Sequence, residues 1–328
     1  FLGDVILTTP LLASLAAMHG PVDVVTTPAA AALIESHPAV GTVFRYDKRG
    51  AERGVRGLWR LSRELRRRGY LRAYLPHGSW RSAALARVAG IGERVGFADS
   101  PAAATYTRRV VRPADAHEVE RLLTLAGGVG EAPPVQVGLT ADDMAEADRW
   151  LRARGLESGF VAIAPGSIWG TKRWPGYAEL VGSLERPAVV VGGRDDARVA
   201  AEIMAQSPGR AYSAAGELGL RASAALLARA SVLVTNDSAP LHLATAVGTP
   251  IVAVFGPTVP SFGFGPRGGR DVVVEHPSLG CRPCSAHGPQ VCPLGHHRCM
   301  RELSVETVAA AVEAVLGAEA HGAIRTGH

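Results

Sequence analysis

Asn236, Asp237 and Ser238, with His242 one helical turn further on, put a carboxylate, a hydroxyl and an imidazole into one short stretch. Beside free backbone amides, such groups could hold a phosphate or a sugar. The surrounding residues 232–258 read VLVTNDSAPLHLATAVGTPIVAVFGPT. Two apolar runs, 232–234 and 251–255, have the character of strands buried on both faces. Between them Asp237 and Ser238 are capping types, Pro240 suits a first helical turn, and Gly248 before Thr249-Pro250 is a stop signal. The unit is therefore strand, helix, strand, and its first loop opens at the C-terminal edge of a sheet. There the unpaired N–H groups of a helix start favour an anion. Capping alone would also account for Asp237 or Ser238, so other segments must supply the rest of a site.

Three segments do so. Gly3 would let a phosphate or sugar approach the backbone, and Asp4 stands at the start of an apolar helix expected to bend or restart at Pro10. The loop 165–175 carries Ser167, Thr171, Lys172, Arg173 and Trp174, a set of donors and cations suited to a diphosphate. Lysine occurs only at Lys48 and Lys172 in a chain that otherwise uses arginine, which draws notice to a compact ammonium inside that loop. Gly192-Gly193 followed by Asp196 forms a glycine-marked turn that could meet the nucleoside part of a donor, and residues 217–220, with Leu218, are a candidate wall.

The segment TNDSAPLHLATAVGTPIVAVFGPT resembles the TNDSGP-H-A-A-GTP-VALFGPT signature of the glycosyltransferase family 9 heptosyltransferases, the ADP-heptose:lipopolysaccharide transferases. LGDVILTTP at residues 2–10 and APGSIWGTKRWP at residues 164–175 agree in order and spacing, and residues 281–300 resemble the C-terminal part of heptosyltransferase II-like members. The resemblance implies an α/β GT-B fold, two doubly wound parallel-sheet domains with the active site in the cleft between them. It implies inverting transfer of heptose from ADP-heptose to a hydroxyl of the lipopolysaccharide inner core on lipid A, with no cofactor required for catalysis. Asp4 would be the base, and Lys172 would stabilise charge on the leaving diphosphate. The amides of Ser238 and Ala239 would hold that diphosphate, Asp237 would bind sugar hydroxyls, and His242 would reach donor phosphate. Gly3, Ser167, Thr171, Asp196 and Leu218 would complete the donor side. Ala239 stands where the family has glycine, and would be strained if its φ were positive. The strand expected ahead of Gly3 is missing from the sequence, and no signal peptide is visible. Two other readings fit the same residues: a GT-B enzyme with another donor or an epimerase chemistry, and a non-catalytic nucleotide-sugar-binding protein.

These residues need a scaffold, and 328 residues with 47% hydrophobic content suffice for two domains. Strands alternate with helices throughout, the pattern of parallel sheets covered on both faces. The breaker at 155–159 sets the expected boundary: 1–156 as an acceptor-side domain and 157–328 as a nucleotide-sugar domain. No run approaches 18 consecutive apolar residues, so no membrane span is expected. The net charge of +5 is unevenly placed, with eleven basic residues between positions 45 and 72 against Asp47, Glu52 and Glu64. An anionic acceptor or a membrane surface would match that run. Nucleic acid is not expected, because stacking on bases calls for interleaved aromatic residues. The expected location is cytoplasmic, peripheral on the inner face of the membrane.

All four cysteines lie within nineteen residues, as C-x2-C-x7-C-x6-C at Cys281, Cys284, Cys292 and Cys299, with His287, His296 and His297 among them. A structural zinc site or an iron-sulfur cluster is the expectation, with reduced thiols in a folded loop as the competing one. Ser304 caps a final helix.

Overall fold

Parallel strands alternating with helices build both halves of the chain, as the spacing of apolar runs predicts. The structure, a computed structural model, describes residues 1–47, 50, 52–128 and 131–325. The chain divides into two units, Leu2–Gly138 and Leu139–His328, the latter counted with Phe1.

The first unit begins with α1 (Leu2–His19), β1 (Val22–Thr26), α2 (Pro28–Ile34) and β2 (Val40–Arg45). It continues with α3 (Gly54–Arg68), β3 (Arg72–Leu75), α4 (Trp80–Val88), β4 (Glu93–Phe97), β5 (Arg108–Val110) and α5 (Glu118–Leu123). α1 does not restart at Pro10 but runs unbroken through it. Proline lacks the N–H that would bond Ile6, and the Thr9 hydroxyl donates to the Ile6 carbonyl instead, at 2.8 Å. α1 has the length and apolar content of a membrane span, contrary to expectation, yet Ile6, Leu7, Leu11, Leu12 and Leu15 are buried and it packs on α2 and α5 as a core helix. The strands form two parallel sheets, β1-β2 and β3-β4-β5, rather than one. Side chains link them: the Tyr70 hydroxyl donates to Asp23, which also accepts the Thr42 N–H at 2.6 Å.

The second unit runs α6 (Ala141–Arg152), β6 (Val161–Ala164), α7 (Tyr177–Ser183), β7 (Ala188–Val190), α8 (Ala197–Gln206) and β8 (Ala211–Ser213). Then come α9 (Leu220–Leu227), β9 (Val232–Asn236), α10 (Ala239–Val247), β10 (Ile251–Phe255), β11 (Val272–Glu275), α11 (Arg298–Arg301) and α12 (Val305–Arg325). Its six strands form one parallel sheet in the order β11-β10-β9-β6-β7-β8. Every residue of β6, β7, β9 and β10 is buried, which is why these strands read as unbroken apolar runs. Because all strands run the same way, the loops that follow them open on one edge.

The division after Gly138 differs from the expected 156/157 boundary, and α6 is the reason. That helix packs on α9, and its acids face arginines there: Asp143 meets Arg221 at 3.1 Å and Asp148 meets Arg229 at 2.9 Å. Asp143 also closes a capping box, accepting the Thr140 N–H at 2.8 Å while its own N–H donates to the Thr140 hydroxyl at 3.3 Å. Burial alone would raise the Asp143 carboxyl, but the Thr140 and Arg221 bonds outweigh it and hold the group below its usual 3.8. A carboxylate depressed on folding stabilises at neutral pH, and that contribution disappears as acid protonates it. Asp143→Asn should therefore cost about 1–2 kcal/mol at pH 7, and the difference from the parent should close as pH falls below 3.8. Urea midpoints measured across pH would reveal this, and a pH-independent difference would contradict it.

Candidate active site

The hub of the sheet edge is Asn236, the last residue of β9, fully buried. Its Oδ1 accepts the Trp174 N–H at 3.1 Å and the Tyr177 hydroxyl at 3.0 Å. Its Nδ2 donates to the Pro165 carbonyl at 2.9 Å. One carboxamide thus fastens both ends of the 165–175 loop to the strand beside it. Burial pushes the Tyr177 hydroxyl well above its ordinary value of 10, so it remains a donor at neutral pH.

That fastening delivers Lys172 to Asp237. The ammonium Nζ lies 2.5 Å from Asp237 Oδ2, and the Thr258 hydroxyl donates to the same oxygen at 2.6 Å. Lys172 and Thr258 are buried and Asp237 nearly so. Two of the residues singled out separately in the sequence are therefore brought together, with the lysine on the carboxylate. Ser238 precedes α10, and its hydroxyl oxygen is buried without a hydrogen-bond partner. Ala239 is the first residue of α10 and is not among the positive-φ residues, so the strain expected of alanine there is absent. His242 lies buried one turn into α10, its ring edge-on to Phe264 at 6.4 Å between centroids.

The other expected donor residues occupy neighbouring loops of the same edge. Ser167 accepts the Trp169 N–H on its hydroxyl at 3.2 Å, and its carbonyl accepts two N–H groups from Arg173. Thr171 donates its hydroxyl to the Pro289 carbonyl. Asp196 accepts the Gly193 N–H at 2.9 Å, and its carboxylate fills the space where Cβ atoms of Gly166 and Gly192 would stand, 2.2 and 2.5 Å away. A Cβ at either glycine would displace the Asp196 carboxylate. Leu218 is half-buried in the loop after β8, beside Glu217, which accepts the Trp150 indole N–H and an Arg154 N–H, each at 2.7 Å. Gly3 and Asp4 belong to the other unit, in the first turn of α1, where the Asp4 carbonyl accepts the Thr8 hydroxyl at 2.6 Å.

Residues 58–292 match the profile described as glycosyltransferase family 9 (heptosyltransferase). The chain belongs to glycosyltransferase family 9. It is 29% identical over 230 residues to lipopolysaccharide heptosyltransferase 2 of Escherichia coli K12, covering 62% of this chain and 64% of that relative's length. It is 31% identical over 312 residues to lipopolysaccharide heptosyltransferase 1 of Pseudomonas aeruginosa PAO1, covering 86% and 83%. The solved structure of the E. coli ADP-heptose lipopolysaccharide heptosyltransferase II superposes with a TM-score of 0.80 at 24% identity, over 97% of each chain. The α/β GT-B fold expected from the sequence is thereby established.

In this family 9 chain the cysteine segment departs from expectation. Among the described residues, no group of three or more His, Cys, Asp or Glu side chains converges as a ligand set, and Cys281, Cys284, Cys292 and Cys299 are all free thiols. Their spacing is spent on local bonds. The Cys284 thiol donates to the Cys281 carbonyl at 3.4 Å, Cys292 sulfur accepts the His297 N–H at 3.4 Å, and Cys299 packs into the core from α11. Burial, followed by the Cys284 charge, pushes the Cys299 thiol up to about 11.

The segment instead braces the site loops. His297 donates from Nε2 to the Thr171 carbonyl at 2.7 Å, Gln290 bridges the Ile168 carbonyl and the Gly170 N–H, and the Cys284 N–H donates to the Pro257 carbonyl at 2.8 Å. Arg282 donates to the carbonyls of Gly256, His276 and Thr258. The sequence points to Asn236 only as a loop neighbour, to His297 only as a neighbour of the cysteines, and not at all to Thr258 or Arg282 as site residues. Thr258, directly after β10 on the same sheet edge, was within reach of the topology. Removing the hub should be costly. Asn236→Ala should lower the unfolding free energy by roughly 2–4 kcal/mol by stranding buried donors and acceptors. Asn236→Asp should also destabilise, since it sets an oxygen against the Pro165 carbonyl. Urea midpoints unchanged within experimental scatter for both would show that Asn236 is not the fastening.

Proposed function

We propose that this chain is an inverting glycosyltransferase that moves heptose from ADP-heptose to the inner core of lipopolysaccharide. The observation that carries this reading is the buried Lys172 ammonium on Asp237, next to the start of α10 and the unpartnered Ser238 hydroxyl. A buried cation, free helix N–H groups and a hydroxyl are the groups that a sugar diphosphate needs. The family membership and the name of the matched E. coli protein, an ADP-heptose lipopolysaccharide heptosyltransferase, support heptose as the sugar.

In this mechanism the acceptor oxygen forms a bond to the anomeric carbon as the bond from that carbon to the diphosphate oxygen breaks on the opposite face. Asp4 takes the acceptor proton. Lys172 leaves Asp237 to neutralise the departing diphosphate, and the amides at Ser238 and Ala239 share that charge. Asp237 is then available to sugar hydroxyls, with His242 behind the loop and Asp196 fixing the turns that face the nucleoside. Ser167, Thr171, Leu218 and Gly3 shape the remaining donor surface. No cofactor takes part. An acceptor anchored in lipid also places the chain at the cytosolic membrane face, as a peripheral protein.

Calorimetric titration tests the donor. ADP-heptose should bind while UDP-glucose and GDP-mannose do not, and Lys172→Ala and Asp237→Ala should each weaken binding about tenfold or more, roughly 1.4 kcal/mol. Asp4→Asn should keep donor affinity and lose about 10²–10⁴-fold in turnover. Thermal unfolding run on each variant separates a lost site from a lost fold. Undiminished ADP-heptose binding in folded Lys172→Ala and Asp237→Ala proteins would overturn the assignment.

A further inference from the structure

The outward face shared by α3 and α4 carries exposed side chains to which the proposed transfer reaction gives no role. α3 buries Gly57, Leu61, Ser62 and Leu65, and turns six arginines and the single Glu64 outward. Among those arginines stands Trp59, 56% exposed, with the Arg63 guanidinium over its ring at 4.6 Å. One turn earlier Val55 is 82% exposed. α4 buries Ala83, Leu85 and Ala86 and exposes Trp80, at 57%, together with Arg81, Arg87 and Val88.

The two helices form one surface. They pack together on a shared core of Leu61, Leu65, Ala83 and Ala86. α3 leads into β3 and α4 leads out of it, so both run the same way. The Arg66 guanidinium donates to the Val88 carbonyl at 2.5 Å, which ties their C-terminal ends together. Counting back at 1.5 Å per residue, Trp59 and Trp80 lie about 10 and 12 Å along their helices from Arg66 and Val88. Lys48 and Arg49 of the expected basic run lie outside the described residues.

We propose that this face docks on the surface of an anionic lipid bilayer. The proposal deepens the peripheral placement above by naming the surface, and it rests on that placement rather than on the transfer reaction. Guanidinium groups bind lipid phosphates in bidentate geometry, and indole rings settle at the headgroup level. Two exposed tryptophans on packed helices inside an arginine field, with aliphatic Val55 and Val88 at their flanks, form the surface of a helix pair lying in the membrane interface. Trp59 also corrects the expectation that the basic run lacks an interleaved aromatic. The aliphatic neighbours favour lipid over nucleic acid, since a phosphate backbone gains nothing from valine.

The test uses the full chain with vesicles of phosphatidylcholine alone or mixed with phosphatidylglycerol, read by flotation and by quenching of tryptophan fluorescence with brominated lipid. The parent should float with the phosphatidylglycerol vesicles at low salt, detach at high salt, and be quenched. Trp59→Ser/Trp80→Ser and Arg56→Glu/Arg67→Glu should each reduce vesicle binding by about tenfold or more, with unchanged thermal midpoints because all four side chains are exposed. Failure of the parent to bind at low salt would overturn both this proposal and the peripheral placement. Full binding by both folded double variants would overturn the proposed face alone. Single-stranded RNA bound as tightly as the vesicles, without bromolipid quenching, would assign the face to nucleic acid and overturn the lipid proposal.

Discussion

Everything at the working edge of the second unit depends on one buried carboxamide finding four partners. Asn236 can be dry at the end of β9 only because Trp174, Tyr177, Pro165 and Gly166 satisfy it. Those partners belong to the loop after β6 and the helix that follows, so the position of that loop is set by the strand beside it. Lys172 reaches Asp237 as a result. The ion pair is thus an outcome of backbone anchoring, and the lysine is held by its loop rather than by its charge. A buried pair of this kind adds little net stability, which fits a role in binding better than one in folding.

A second support comes from the cysteine-rich segment, which grips the 165–175 loop through His297 and Gln290 and the 256–258 loop through Arg282. Lys172 and Thr258, the two groups that meet Asp237, are therefore both steadied from one direction. Gly170 allows this closeness, because a Cβ there would stand 2.3 Å from the Gln290 carbonyl. The segment acts through backbone carbonyls and a guanidinium, and its thiols stay within local turns or in the core.

Much of this was legible in the sequence, for identifiable reasons. Strands β6, β9 and β10 are buried on both faces, so their apolar runs announce them without ambiguity. The capping residues and Gly248 mark both ends of α10, and Gly248 indeed adopts the left-handed conformation at its C-terminus. Lys172 and Asp237 stand out by rarity and by position, and they meet. What stayed hidden depends on contacts between distant segments. No local pattern says that Thr258 turns toward Asp237, that Arg282 collects four carbonyls, or that α6 answers to arginines on and after α9. Cysteine spacing misled because spacing in sequence does not fix where four sulfurs point. The first unit proved least legible as a whole, for its strands divide into two sheets joined by side chains such as Tyr70 and Asp23.

The Thr9-Pro10 step in α1 has an evolutionary consequence. Thr9 donates its hydroxyl to the carbonyl that Pro10 leaves without a partner, and the same oxygen accepts the Gln136 N–H at 3.0 Å. One hydroxyl thereby serves two backbone groups, one of them 127 residues away from Thr9 in the sequence. Replacing Pro10 would restore a helical amide for Ile6 but leave Gln136 still reliant on Thr9, whereas replacing Thr9 first would strand both. The two positions form an epistatic pair with a preferred order of change, in which proline is the freer member and serine the readiest substitute for threonine.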